Sequence, residues 1–162
     1  MADLLPTAEQ EELASSVARV LAAGQDCLPA LAELGWLGMG TDLPLAEQAL
    51  VLREFGRALA PLQTLTAVAG ARIAVLAGED DLAKDISSGA TRVALLTLSG
   101  GDEAYLIDDE GAELALLANP HSAALFSVEK RTALAPFDDK LSISRTTDTV
   151  PSIEIEGSRP HR

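Results

Sequence analysis

The sequence has few aromatic residues, one cysteine and no long apolar run, and each shortage excludes a class of protein. Only five of its 162 residues are aromatic, so the core must be built from alanine, leucine, valine and isoleucine. Cys27 alone cannot form an internal disulfide or a zinc site, which favours a reducing, cytoplasmic location. No apolar run approaches the ~18 residues that span a bilayer, and the N-terminus lacks the basic and apolar regions of a secretory signal.

Basic side chains are also scarce. The chain has 12 lysines and arginines against 25 acidic residues, which gives a formal net charge of −13. Both halves are acidic, with 5 basic and 13 acidic residues in 1–90 and 7 and 12 in 91–162. Such a surface lacks the phosphate-neutralising contacts that drive nucleic-acid binding, so we expect neither nucleic acid nor a membrane as partner.

Residues 1–89 have the periodicity of helices. Thr7 and Gln10 form a capping box, and the apolar residues that follow recur at helical spacing until Gly24. Asp26 is placed to cap a short second helix, and the alternate glycines of residues 35–40 predict a break in regular helix.

Three further helices are predicted before residue 89. One begins at Thr41 or Asp42, one runs from about Leu62 to Leu76, and a short one begins at Asp80 or Asp81. Their inward faces are predicted to carry Leu45, Ala49, Leu52 and Phe55 in the first, and Leu65, Ala69, Ile73 and Leu76 in the second.

After Gly89 the period changes from 3.6 to 2, which is typical of strands. Five β-prone runs are separated by turn sequences: 91–98, 104–107, 113–117, 124–128 and 140–146. Helices followed by strands predict an α+β fold: an all-α helical bundle domain over 1–89 and a small antiparallel sheet or partial barrel over 90–147. Residues 148–162 are expected to form a frayed tail.

No catalytic residue and no metal site can be assigned from residue types and spacing. The two histidines lie in a turn and in the tail, and Cys27 has no His or second Cys near it, so an inert thiol is the simpler interpretation. The acidic residues of 102–113 lack the spacing of a calcium loop and predict a solvated rim. The segment 99–102 (SGGD) leads into a strand and not a helix, which makes it a weak phosphate loop.

Three segments resemble the N-terminal domain of acyl-CoA dehydrogenases. They are residues 6–10 (PTAEQ), 32–40 (AELGWLGMG) and 50–61 (LVLREFGRALAP), and in this order and spacing they cover most of 5–77. The resemblance implies a helical N-terminal domain, a middle β-domain and a C-terminal four-helix bundle. It also implies oxidation of acyl-CoA thioesters, with a glutamate base removing the α-proton, flavin adenine dinucleotide (FAD) accepting the β-hydride, and an electron-transfer flavoprotein as acceptor.

The chain also departs from the family pattern. Residues 41–44 (TDLP) replace a longer glycine-rich loop, and residues 96–102 (LTLSGGD) replace the segment whose backbone and hydroxyls touch flavin and substrate. The resemblance therefore carries over only Thr97, Ser99 and Gly100 as cofactor-binding residues. The base-bearing C-terminal bundle is expected to lie outside these residues, so none is assigned as the base.

Three hypotheses remain open from the sequence. The chain is an acyl-CoA dehydrogenase-type flavoprotein subunit of a homo- or hetero-oligomer that takes part in fatty acid or steroid side-chain degradation. Alternatively it is a non-catalytic partner subunit that has lost flavin binding. The third hypothesis is a plain helix-plus-sheet interaction domain. We expect the chain by itself to be inactive and to expose a large apolar patch.

Overall fold

The computed structural model describes residues 6–22, 24, 27–99, 103–135, 141–147 and 150–156. The predicted α+β order is confirmed, because helices occupy the first half and one sheet the second. The helices are α1 (Ala8–Leu21), α2 (Cys27–Glu33), α3 (Met39–Asp42), α4 (Leu45–Ala58), α5 (Leu62–Ala77) and α6 (Asp80–Ser87). A 3₁₀ turn over Trp36–Gly38 precedes α3. In the described residues no helix is long and apolar enough to cross a membrane.

The ends of the helices follow the predicted signals at several positions. The Thr7 hydroxyl accepts a hydrogen bond from the Gln10 amide, and the Gln10 side chain accepts one from the Thr7 amide, which confirms the capping box. Gly78 ends α5 in the left-handed conformation, with φ of 81°. The predicted cap Asp26 lies outside the described residues.

The predicted break at residues 35–40 is only partly correct. Gly35 adopts a φ of 78°, but the 3₁₀ turn and the four-residue helix α3 continue directly after it. Helix α4 then begins at Leu45 after Pro44, later than the predicted Thr41 or Asp42, because proline restricts the residue before it and starts the new helix.

Gly40 lets α3 approach α5, and this gives a testable prediction. A Cβ added at Gly40 would lie 2.9 Å from the backbone oxygen of Val68. We expect Gly40→Ala to destabilise the chain by about 1–3 kcal/mol, because the backbone of α5 cannot yield as a side chain can. Thermal unfolding of the variant and the parent chain measures this loss of stability.

Gly56→Ala is the matched control for that variant. Gly56 lies in α4, and a Cβ there would meet no atom within 4 Å. Alanine should therefore stabilise the helix by roughly 0.5–1 kcal/mol, and equal losses for the two variants would contradict a specific α3–α5 contact.

The predicted inward faces of α4 and α5 are partly wrong. In α4 the buried residues are Val51, Glu54 and Phe55, whereas Leu45 is 80% exposed. In α5 Ile73 is buried as predicted, but the buried set extends over two faces: Gln63, Thr64, Thr66, Ala67, Val68, Gly70, Ala71, Ile73 and Ala74. Helix α5 is central, so its small residues face neighbours on several sides, and its two predicted leucines, Leu65 and Leu76, remain exposed.

In the described residues seven strands form one mostly antiparallel sheet. They are β1 (Val93–Ser99), β2 (Glu103–Ile107), β3 (Leu114–Ala118), β4 (Ser122–Ser127), β5 (Thr132–Ala133), β6 (Ile143–Thr146) and β7 (Val150–Glu156). The order across the sheet is β5-β6-β2-β1-β3-β4-β7, and β1 and β3 are parallel. The expectation of a frayed tail is wrong for residues 150–156, because β7 pairs with β4 along its length. The two-residue β5 was not predicted.

The core joins the helices to one face of the sheet. Val17, Val51 and Phe55 of the helices belong to the same buried cluster as Val93 and Leu125 of the sheet. A smaller cluster lies on the other face and includes Ala94, Leu96, Ala104, Leu106 and Ala115. The division into domains at residue 89 stays a prediction.

Polar contacts also fix α5 to the sheet. The Asp108 carboxylate accepts a hydrogen bond of 3.0 Å from the Gln63 amide and so caps the N-terminus of α5. The Gln63 side chain in turn donates to the backbone oxygens of Asp108 and Glu110, at 2.8 and 2.9 Å. Thr66 donates from α5 to the backbone oxygen of Val93. These bonds set the position of α5 over the start of β1.

Candidate functional site

The predicted flavin residues Thr97 and Ser99 lie at the C-terminal end of β1. Thr97 is half-buried and Ser99 is exposed, and alternation along the strand places both on the same face as Val93. Their cross-strand partners are Tyr105 and Glu103 of β2. Gly100, the third predicted residue, lies outside the described residues.

Helix α5 packs on one half of this face, over the start of β1 and over β4 and β7. The other half, formed by β1, β2, β6 and β5, we call the open sheet face. Register places its side chains in three rows: Leu95, Ile107 and Ile143; then Thr97, Tyr105, Arg145 and Thr132; then Ser99 and Glu103. The first row is half-buried and apolar, and the other two rows carry hydroxyl and charged groups.

Two charged side chains among the described residues lie on the open sheet face and pair with each other. Arg145 Nη1 is 3.1 Å from Glu103 Oε1, and both side chains are about half exposed. The Tyr105 hydroxyl donates to Glu103 Oε2 at 3.3 Å. An exposed ion pair of this kind contributes little to stability, so Arg145 can exchange its partner for another anion at small cost.

An apolar groove lies between α4 and α5. Its volume is about 560 Å³, and its lining is mostly aliphatic: Gly40, Thr41, Leu43, Leu45, Gln48, Leu52, Leu65, Val68, Ala69 and Arg72. Leu45, Leu52 and Leu65 are 80%, 38% and 41% exposed. The amphipathic pattern predicted that these three leucines face inward. In the structure they line the groove, and no other part of the described chain covers them.

Two other buried carboxylates of the described residues are paired within the fold, whereas Trp36 Nε1 and Glu47 Oε2 are buried without a hydrogen-bond partner. The buried carboxylate of Glu54 forms ion pairs with Arg53 and Arg57, with nitrogen–oxygen distances of 2.9 and 3.4 Å. The buried Asp109 pairs with Arg131 at 3.3 Å. Cys27 is buried in the helical core, His121 is exposed in a turn, and no group of three metal-ligating residues occurs in the described part of the chain. These residues therefore suggest structural roles.

The sequence could not have identified Tyr105 or Arg145 as members of this face. Arg145 lies 40 residues after Tyr105, and only the β2–β6 register brings the two together. The alternation of β1 was the one available signal, since it places Thr97 and Ser99 on the same side of a strand.

The fold is shared with solved acyl-CoA dehydrogenases. The ChsE4-ChsE5 complex from Mycobacterium tuberculosis matches with a TM-score of 0.61 and 14% identity over 96% of this chain and 58% of that one. An acyl-CoA dehydrogenase complexed with FAD from Bacillus anthracis matches with a TM-score of 0.64 and 13% identity, over 94% and 39%. The chain has an acyl-CoA dehydrogenase-like fold.

Two more structures with this acyl-CoA dehydrogenase-like fold extend the comparison. A glutaryl-coenzyme A dehydrogenase in complex with glutaryl-CoA has a TM-score of 0.62 and 14% identity, and the Tcur3481-Tcur3483 steroid acyl-CoA dehydrogenase has 0.57 and 17%. Each aligns with 96% of this chain. The chain spans about 40–60% of the length of the four structures. No protein-family model and no curated relative matches its sequence.

Proposed function

We propose that the chain is a subunit of an acyl-CoA dehydrogenase-type assembly that oxidises acyl-CoA thioesters at the α,β-position. The observation that carries the proposal is the extent of the structural match. Helices and sheet together align over 94–96% of the chain with enzymes of this type, and two of the four structures compared are named for two components. The proposal includes the division into a helical domain (1–89) and a β-domain that begins at residue 90, with β7 extending it beyond the predicted end at residue 147.

The open sheet face suits FAD in its chemistry. The half-buried row of Leu95, Ile107 and Ile143 offers an apolar floor for a flat ring system. Thr97 and Ser99 offer hydroxyl groups at its edge, as the resemblance implies, and Arg145 offers a guanidinium for an anionic group. Bound there, FAD would supply the acceptor for the hydride of the substrate.

The chain's own residues would bind and orient the flavin, not move protons. Among the described residues of the open sheet face Glu103 is the one carboxylate, and it lies beside Arg145 and Tyr105 in the row that ends β1 and β2. The base and the remaining cofactor contacts would come from another part of the assembly. We propose a cytoplasmic assembly that passes electrons to an electron-transfer flavoprotein in fatty acid or steroid side-chain degradation.

The groove between α4 and α5 supports an assembly over a free monomer. Leu45 and Leu65 expose apolar surface beside a concave, aliphatic surface, and monomers rarely leave large contiguous patches of this kind uncovered. The same groove supports the alternative function, a non-catalytic partner subunit without flavin. The carboxylate of Glu103 on the open sheet face favours that alternative, because it opposes an anionic cofactor.

Co-expression with the products of neighbouring genes tests the proposal. We expect a yellow complex, with flavin absorbance and oxidation of an acyl-CoA panel in the presence of a dye acceptor, whereas the chain alone should show no turnover. A complex that forms without flavin and without turnover would favour the non-catalytic alternative. Failure to associate with any acyl-CoA dehydrogenase-like subunit would contradict both functions.

A further inference from the structure

Among the described residues of the open sheet face, Arg145 is the one basic side chain. It lies in the same row as Thr97, separated from it by Tyr105 on the intervening strand β2. Neighbouring strands are ~4.8 Å apart, so the backbones at Thr97 and Arg145 are separated by roughly 10 Å. A flavin whose ring edge contacts Thr97 and Ser99 can therefore extend across Tyr105 and bring its charged end to Arg145.

From this placement we propose that Arg145 recognises the phosphate of a bound flavin nucleotide and that Glu103 limits the affinity by competing for the same guanidinium. The inference rests on the proposed function for the identity of the ligand. A guanidinium binds phosphate oxygens through two parallel hydrogen bonds, which a half-exposed carboxylate partner cannot prevent. Phosphate binding exchanges one anion for another, and it leaves the Glu103 carboxylate without its cation and close to the ligand.

Binding of three flavins to the full chain, followed by flavin fluorescence, tests this assignment. FAD and flavin mononucleotide carry phosphate, whereas riboflavin has the same ring without it. We expect Arg145→Gln to weaken the binding of both phosphate-bearing flavins by about tenfold or more and the binding of riboflavin by less than about twofold. Arg145→Lys, which keeps the charge but not the paired hydrogen bonds, should retain part of the affinity.

Glu103→Gln should change the affinity for FAD in the opposite direction. Removing the competing carboxylate frees Arg145, so we expect FAD to bind about three- to tenfold more tightly. Lys84 and Asp81 provide matched controls, because they form an exposed ion pair on α6, which contributes no residue to the open sheet face. Lys84→Gln and Asp81→Asn make the same charge changes and should leave flavin binding unaltered.

Several outcomes would overturn the assignment. Equal losses of affinity for riboflavin and FAD in Arg145→Gln would show that Arg145 has a structural role. Weaker FAD binding in Glu103→Gln would exclude competition between Glu103 and the phosphate for Arg145. Absence of binding of all three flavins to the chain, to Glu103→Gln and to the co-expressed assembly would also overturn it. Failure of the proposed function is separable: phosphate-selective binding without acyl-CoA oxidation in the assembly would contradict only that function, and turnover unaffected by Arg145→Gln would contradict only this inference.

Discussion

Phe55→Ala is expected to destabilise the isolated chain by about 3–5 kcal/mol, because it removes the largest fully buried side chain of the core and leaves a cavity. Phe55 lies on α4 with 2% of its surface exposed, in the cluster that also contains Val17 and Val51. For a chain of this length such a loss corresponds to a fall in Tm of roughly 10 °C. Chemical and thermal unfolding measure both quantities.

Leu45→Ala is the control on the same helix. A larger aliphatic residue is again shortened to alanine, but Leu45 is 80% exposed, so the change should stay within about 0.5 kcal/mol. Comparable losses of stability for the two variants would mean that Leu45 is buried as Phe55 is, which would contradict the packing of α4.

Asp108→Ala is expected to cost about 2–3 kcal/mol by two separate mechanisms. Asp108 has a φ of 55°, a conformation that alanine adopts unfavourably, and its carboxylate caps α5 through the Gln63 amide. Loss of the cap frees the N-terminus of the helix that connects the helical core to the sheet. Equilibrium unfolding in urea measures the loss.

Asp108→Asn separates the two mechanisms. Asparagine tolerates the left-handed conformation and keeps an oxygen that accepts the bond from Gln63, so it should cost less than about 1 kcal/mol. A loss as large as that of the alanine variant would show that the charge itself, and not the cap geometry or the backbone conformation, holds α5 at the sheet.

The fold class and most element positions could be predicted because they depend on local signals. The Thr7–Gln10 capping box and the glycine after α5 mark helix ends by their own chemistry, whatever the rest of the chain does. The change of period after Gly89 likewise reports a strand directly. These signals need no knowledge of which residues are neighbours in space.

The faces of α4 and α5 could not be predicted because burial depends on the partners. The spacing predicted Leu45, Leu52 and Phe55 on one inward face, but of these three only Phe55 is buried. Neighbours inside the chain cover Phe55 and Val51 and leave the two leucines exposed. Strand β7 was missed for a similar reason, since residues 150–156 are stabilised by pairing with β4. Of the candidate site, the sequence could place Thr97 and Ser99 on one strand, but Glu103, Tyr105 and Arg145 required the sheet register.

The molar mass of the chain in solution, alone and with its co-expressed neighbours, most directly tests whether it is an assembly subunit. Light scattering should show a defined complex of this 16.9 kDa chain with an acyl-CoA dehydrogenase-like subunit, with flavin absorbance in the same peak. A stable, non-associating monomer under both conditions, with no flavin absorbance, would contradict the proposal that the exposed leucines of α4 and α5 and the open sheet face serve such an assembly.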